Sequence, residues 1–574
     1  MQLLTNWDVG IMLTYAVLII GYGLYRAKRK DSEEYFLGGR SMIWPVVGIS
    51  LFAANISSST LVGLASDAFM TDVHVYNYEW AAVIILIFFA VFFMPFYLRS
   101  KVYTMPEFLE RRYDARSRYY FSFVTLIANI IVDAAAGLYV GLLVLKPMLP
   151  EGWPTWVVVV ILATAAAAYT IPGGLSSVIH TEVIQAVLLI IGSIILTYFA
   201  FSELGGWEGL ISGLEGMKDH SIVNGQTPDE ILSMVRPASD EYMPWTGLLI
   251  GVPILGFYFW ATNQFMVQRV LGAKDLNHGR WGALFAGLLK LPVIFIMVLP
   301  GLAALVLYND LDISFLNYYT QGDAGPELCT NLADCPNQTY PVLLFKLLPT
   351  GMLGLVLASL LAAMMSSASA TFNSASTLIT MDFITKFRPN MTNDQIVRTG
   401  QIATAVLVVL AAAWAPQIEN FGSLFAYLQR VIAYTCPPVV AVFILGLFWK
   451  RGNGNGAIAG LLSGFAVAIF LLVLEASAEE GVIGGDPNSL MTAMNQIHFL
   501  HKAGILLVIC AAIQIGVSLA TPPQKPEEIQ DYVWTPEVFK EDTESLKGLP
   551  WYQNYRILSI LLLVVTVIVV GMFI

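Results

Sequence analysis

The chain has 574 residues, of which 57% are hydrophobic and 12% charged, with a net charge of −11. A soluble domain carries about a quarter charged residues, so this composition excludes a soluble globular protein and points to a polytopic protein of the lipid bilayer. The acidic balance argues against nucleic acid as a partner. The basic group Arg26, Lys28, Arg29 and Lys30 behind the first apolar stretch is no signal-peptide cleavage site.

Fourteen mostly apolar segments are long enough to span a bilayer, near 8–26, 45–70, 79–98, 117–148, 154–172, 178–203, 244–272, 280–308, 341–385, 399–416, 421–449, 456–476, 501–520 and 553–574. The longest, 341–385, must include turns outside the membrane or be strongly tilted. Lys and Arg concentrate in loops 27–44, 99–118, 269–280, 386–398 and 450–451, which share one side if the N-terminus is outside. The loops 204–243, 309–340 and 477–500 are longer and acidic. The expectation is an all-α multi-pass protein of the plasma (inner) membrane with both termini outside. Residues 1–574 read as one membrane transport domain. It comprises a first helix and cytoplasmic loop (1–44), two repeats (45–203 and 244–449) and peripheral C-terminal helices (450–574) with a cytoplasmic linker at 521–552.

In chain order, the first anomaly is the run Ala53-Ala54-Asn55-Ile56-Ser57-Ser58-Ser59-Thr60 inside the second span. Polar groups in hydrocarbon need partners, so this run predicts an interrupted helix lining a site for something small and hydrated. Glu79 opens the third span. Glu182, after His180 and Thr181, lies at the edge of the sixth; such an acid ligates a cation, relays a proton or is a solvated helix-start carboxylate. In the seventh, Gly251-Val252-Pro253 and Gly256 precede Phe257-Tyr258-Phe259-Trp260-Ala261-Thr262-Asn263-Gln264, a second interruption five spans after the first. Paired interruptions at equivalent places of two halves point to inverted repeats, spans two to six and seven to eleven. Lys290 is the only charge between Arg280 and Asp310, and at that depth needs a carboxylate, a polar substrate or a water cavity. Gln429 and Arg430 pose the same problem in the eleventh span. Cys329 and Cys335, six apart in one polar loop, suit a disulfide if that loop faces an oxidising compartment. Asn337-Gln338-Thr339 is a glycosylation sequon. In the ninth span Ser366 and Ser369 share a helical face beside Ser367; uncharged oxygens suit a sodium ion, while the ordinary role of such residues is close helix packing. There is no metal-ligand spacing, P-loop or Gly-x-Ser-x-Gly, so neither an enzyme nor an organic cofactor is expected.

The motifs Tyr35-Phe36-Leu37-Gly38-Gly39-Arg40-Ser41, Ala53-Ala54-Asn55-Ile56-Ser57, Tyr103-Thr104-Met105-Pro106-Glu107-Phe108, Gly173-Gly174-Leu175-Ser176, Val267-Gln268-Arg269, Phe372-Asn373-Ser374-Ala375-Ser376-Thr377 with Met381-Asp382, and Gly446-Leu447-Phe448-Trp449-Lys450 occur in order. Together they resemble the sodium/solute symporter family, in particular its sodium/glucose cotransporter branch. The resemblance implies a LeuT-like core of two inverted five-helix repeats and import of a solute driven by sodium through alternating access. It places the principal sodium site on the carbonyls of Ala53, Ile56 and Ala363 and the hydroxyls of Ser366 and Ser367. A second sodium would use Glu182, where Asp is usual, with Ser366 and Ser369; Ala370 lacks a hydroxyl found in some members. The sugar site would draw on Asn55, Glu79, Lys290 and Gln429, with Tyr78 and Phe425 toward an outer gate and Phe259 and Trp260 toward an inner one. Thr60 stands where sugar-carrying relatives have a longer hydrogen-bonding residue, Phe259 where they have Tyr, and Ala82 and Gly256 offer no side-chain hydrogen bond. The expected cargo is a hexose such as glucose or galactose, with inositol, sialic acid, an amino acid or a carboxylate as alternatives. A non-transporting sodium sensor is a further alternative. Oligomeric state is not legible.

Overall fold

The computed structural model describes residues 4–27, 31–148, 153–322, 325–421, 424–479 and 490–574; side chains within 320–326, 419–427, 476 and 478–490 are excluded. Eleven helices are long and apolar enough to cross a membrane, and two pairs bent at short breaks bring the number to thirteen. Those pairs are Trp44–Asn55 with Ser58–Thr71, bent by 57°, and Leu276–Lys290 with Ile294–Tyr308, bent by 43°. Thr155–Leu204 is too long for one crossing, and it is two helices joined at Gly174, which makes fourteen spans among the described residues. Pro172 lies just ahead, and Gly174 has φ 56°. A Cβ on Gly174 would lie 2.3 Å from the Tyr35 carbonyl, so only glycine allows the turn and the close approach. The long ninth segment does contain a turn: Thr339–Leu347 ends before Gly351, and Met352 opens the buried helix.

Spans two and seven, the first of each expected five-helix repeat, are both interrupted. The first interruption is at Ile56 and Ser57. The second lies further along than the glycines suggest. The helix runs through Pro253, passes a π-helical stretch at Tyr258–Thr262 and breaks at Asn263, where ψ is 128°. Asn263 caps the next helix, accepting from the Phe265 amide. The ninth span is the centre of the molecule, 83% buried in its most apolar window, against 17% for Asn6–Arg26 and 22% for Tyr555–Phe573. Peripheral helices are apolar all round because lipid, not water, covers their outer face.

The motif residues tie the two repeats together. Asp382 accepts from Thr104 at 2.7 Å, Ser122 at 2.5 Å and Arg118 at 2.6 Å, all buried. Gln268 donates to the Phe36 carbonyl at 2.6 Å and to Thr377 at 2.9 Å. Arg112, also buried, donates to the carbonyls of Gly446, Trp449 and Gly452, closing the end of the eleventh span. The 521–552 linker is docked on the bundle: the Trp534 amide donates to the Leu447 carbonyl, and Asp542 accepts from Arg280, Tyr555 and Arg556. In the loop 309–340, a two-stranded hairpin pairs Tyr319 with Leu328, and Cys329 is bonded to Cys335; Cys436 and Cys510 are buried free thiols.

Arg118→Ala leaves the Asp382 carboxylate buried and uncompensated. The expected outcome is a loss of about 3–5 kcal/mol of stability, read as a lower Tm in detergent, with Asp382→Asn partly reversing it.

Candidate ion and substrate site

The break in the second span follows from its own hydroxyls. In a continuous helix the Ser57 amide would donate to Ala53 and the Thr60 amide to Ile56. Instead the Ser57 amide donates to the Asn55 carbonyl at 2.9 Å, and the Thr60 amide to the Ser57 hydroxyl at 3.2 Å. Ser57 and Thr60 form a capping box that starts the second half-helix, and the Thr60 hydroxyl donates to the Asn55 carbonyl at 3.0 Å. The carbonyls of Ala53 and Ile56 thereby lose the amides that a helix would give them.

Beside the break, a narrow void is lined by Phe52, Ala53, Gln185, Ala186, Leu189, Ala363 and Ser366. The Ser366 hydroxyl is buried there without a hydrogen-bond partner, while the Gln185 amide faces the hydroxyls of Tyr15 and Tyr169. A buried hydroxyl left unpaired is costly, so Ser366 is a candidate for a further partner. Ser367 is buried on the same span. Freed carbonyls and uncharged hydroxyls are the donor set of a hard monovalent cation. Glu182 and Ser369 have partners of their own. Glu182 accepts from Ser50 and is ion-paired with Arg269, all fully buried. Ser369 donates to the Tyr169 hydroxyl at 2.8 Å. No hydrogen bond joins Glu182 to Ser366 or Ser369 among the described residues.

On the other side of the break is a cavity of about 130 Å³ whose lining includes Asn55, Thr60, Tyr78, Glu79, Phe259, Trp260 and Gln429. Lys290 closes it. Its ammonium bonds Glu79 and Asn55 and lies 5.7 Å from the centroid of the Trp260 ring. The cation that looked anomalous in an apolar helix is therefore neutralised by an acid 211 residues earlier. Phe259 meets Trp260 edge-on at 5.4 Å and Phe265 at 5.5 Å. Tyr78 and Gln429 border both this cavity and a wider vestibule of about 800 Å³, so they form the partition between the two. The vestibule carries Asp67, Asp240, Glu241 and Glu475 against Arg430. Burial pushes its His498 down to about 4, leaving that ring neutral at physiological pH. Phe425 lies in the helix Leu424–Phe448, but its side chain falls outside the described residues.

Two residues escape the sequence reading. Gln185 gave no signal, being a lone amide one turn past Glu182. Asp133 did give one. It is the only carboxylate between Asp114 and Glu151, in an apolar stretch, and it lines the cavity from a π-helical bulge, Asn129–Ala134.

Comparison with known proteins agrees with this architecture. The model of the sodium:solute symporter family matches residues 35–464. A sodium/mannose cotransporter of Bos taurus is 36% identical over 545 residues, 92% of this chain and 89% of the relative. The chain belongs to the sodium:solute symporter family. Sodium/glucose cotransporter 4 of Danio rerio is 34% identical, covering 95% of this chain and 83% of its own. A sodium/myo-inositol cotransporter of Homo sapiens is 35% identical, covering 91% and 74%. A substrate-bound, outward-open sodium-coupled sialic acid symporter superposes with TM-score 0.71 at 22% identity, over 91% of this chain and 99% of that one. Mhp1, a nucleobase-cation-symport-1 family transporter, gives 0.53 at 13% identity, over 88% and 99%. These structures share the fold. The chain is a multi-pass, sodium-coupled solute symporter, with sodium as coupling ion, and not an enzyme.

The Lys290–Glu79 pair should behave as a unit. Lys290→Ala and Glu79→Ala each strand a buried charge, whereas the double variant strands none. The expected result is that the double variant melts higher than additivity predicts, by a coupling of about 1–3 kcal/mol in a double-mutant cycle.

Proposed function

We propose that this symporter imports a neutral sugar, a hexose such as glucose or galactose, or a related polyol, across the plasma (inner) membrane. The observation that carries this reading is the cavity beside the broken second span. Its cation is already neutralised by Glu79, which removes the obvious anchor for an anionic cargo, and the Phe259 and Trp260 rings offer apolar faces for a sugar ring. The names of the mannose, glucose and myo-inositol cotransporters that it resembles support the same class. Thr60, whose hydroxyl is engaged at the break, and Phe259, without a hydroxyl, are the positions at which hexose preference departs from sugar-carrying relatives. A lost hydrogen bond of this kind shifts preference by about 1–3 kcal/mol. Asn55, Glu79, Lys290 and Gln429 would contact the solute, with Tyr78 and Phe425 on the vestibule side and Phe259 and Trp260 on the inner side.

Sodium would sit on the carbonyls of Ala53, Ile56 and Ala363 and the hydroxyls of Ser366 and Ser367. The displaced amides at the break and the unpartnered Ser366 hydroxyl support that assignment. Coupling requires that sodium bind the outward-open state more tightly than the inward-open one. A second sodium at Glu182, Ser366 and Ser369 would have to open the Glu182–Arg269 ion pair, which favours one sodium per cycle. Loop charge places both termini outside, a topology that labelling of single cysteines at Thr5 and Ile574 from the outer face would test.

Uptake into proteoliposomes, with and without a sodium gradient, of labelled hexoses, inositol, sialic acid and proline identifies the cargo. A neutral sugar or polyol should enter only with sodium. Ser366→Ala with Ser367→Ala should abolish sodium-dependent uptake while leaving the melting profile unchanged. Unaltered sodium affinity in that variant would sink the ion-site assignment, and uptake confined to sialic acid or proline would sink the cargo.

A further inference from the structure

We infer that Asp133 reads the hydroxyl pattern of the solute, its carboxylate accepting hydrogen bonds from adjacent hydroxyls of a neutral sugar or polyol. This rests on the cargo class just proposed and adds a residue that distinguishes hydroxyl donors from acidic groups.

The other polar groups of the cavity are mostly committed. Lys290 bonds Glu79 and Asn55, the Thr60 hydroxyl bonds the Asn55 carbonyl, and Ser59 shares a hydrogen bond with Ser57 at 2.6 Å. Asp133 and Gln429 line the same cavity and make no side-chain hydrogen bond or ion pair among the described residues. They are the groups with capacity to spare. Of the two, Asp133 alone is an acid. An acid in a transmembrane helix is retained only where something meets it, and the helix here deforms into a π-bulge, Asn129–Ala134, which re-aims its side chains. Asp133 has no side-chain hydrogen bond or ion pair among the described residues, and Tyr258 is its polar neighbour across the bundle.

The chemistry of that position is specific. A carboxylate offers acceptor sites only, and two neighbouring hydroxyls present two donors to its two oxygens in short, charge-assisted bonds. Lys290 and Glu79 pair with each other, so Asp133 is the acid left over in the cavity. A uronate or another acid in the same place would set two carboxyl groups side by side in a poorly screened site, where both cannot ionise cheaply. Asp133 thus both recognises the diol and rejects acidic analogues of the same size.

The test uses the full-length protein in proteoliposomes, with the neutral sugar or polyol that wild type takes up and its uronate. Asp133→Ala should raise KM for the neutral solute roughly tenfold or more, with half-saturation by sodium changed less than about twofold. Asp133→Asn, of nearly the same shape, should raise KM several-fold and gain measurable uptake of the uronate. If the alanine variant does not fold, the asparagine variant carries both readings. Wild-type uptake of a neutral solute with KM unchanged in both variants overturns this inference and leaves the proposed cargo standing. Wild-type uptake of only anionic or zwitterionic solutes overturns both. A shift confined to sodium activation overturns the role assigned to Asp133.

Discussion

Inside a bilayer every backbone amide and carbonyl must find its partner within the protein, and the structure depends on one place where that requirement is met by an exchange. At Ser57 and Thr60 two hydroxyls take over amides that would have closed the helix, so the chain turns without orphaning its donors. The cost falls on the carbonyls of Ala53 and Ile56. Four residues of local sequence free those oxygens from the helix ladder, which is what the proposed sodium site would use. The same break has a narrow void on one side and a cavity of about 130 Å³ on the other, where the proposed ion and solute sites would be linked. A transporter needs that linkage if an ion gradient is to do work on a second solute.

Charge is handled by pairing across the repeats. Glu182 with Arg269, Glu79 with Lys290 and Asp382 with Arg118 are buried acid–base pairs contributed by distant spans. Buried pairs of this kind add little net stability compared with well-packed apolar groups, but breaking one is expensive. They therefore specify register: a span that slid or rotated by one residue would strand a charge in hydrocarbon. Gly174 plays the complementary part, since its left-handed backbone and missing Cβ admit the Tyr35 carbonyl. The motif glycines, arginines and acids shared with sodium/solute symporters are thus largely the fastenings of the scaffold.

Much of this was legible in the chain. Apolar segment lengths yield the fourteen spans, and even the kink that divides Thr155–Leu204 was visible as a gap between two segments near Gly174. The first helix break was legible because hydroxyl-rich stretches in hydrocarbon have few explanations. The second was legible only in outline. Gly251 and Pro253 drew attention, yet the helix passes through Pro253 because its ring displaces only one hydrogen bond, and the break waits for Asn263, whose side chain caps the second half-helix. Lys290 was recognisable as a charge in need of a partner, but nothing local named Glu79. Asp133 carried the same signal as Lys290 and was as readable, while Gln185 carried none.

Sequence by itself determined that this is a polytopic, sodium-coupled transporter with paired broken helices, because hydropathy, break-forming hydroxyls and family motifs act over short stretches. Tertiary structure decided what those stretches mean to one another. Only the folded bundle brings Glu79 to Lys290 across 211 residues and Glu182 to Arg269 across 87, and so determines which polar groups are spent and which remain free for solute or ion. The physical reason is that partner choice among buried charges is a property of packing between spans. A sequence displays the charges but not the geometry that pairs them.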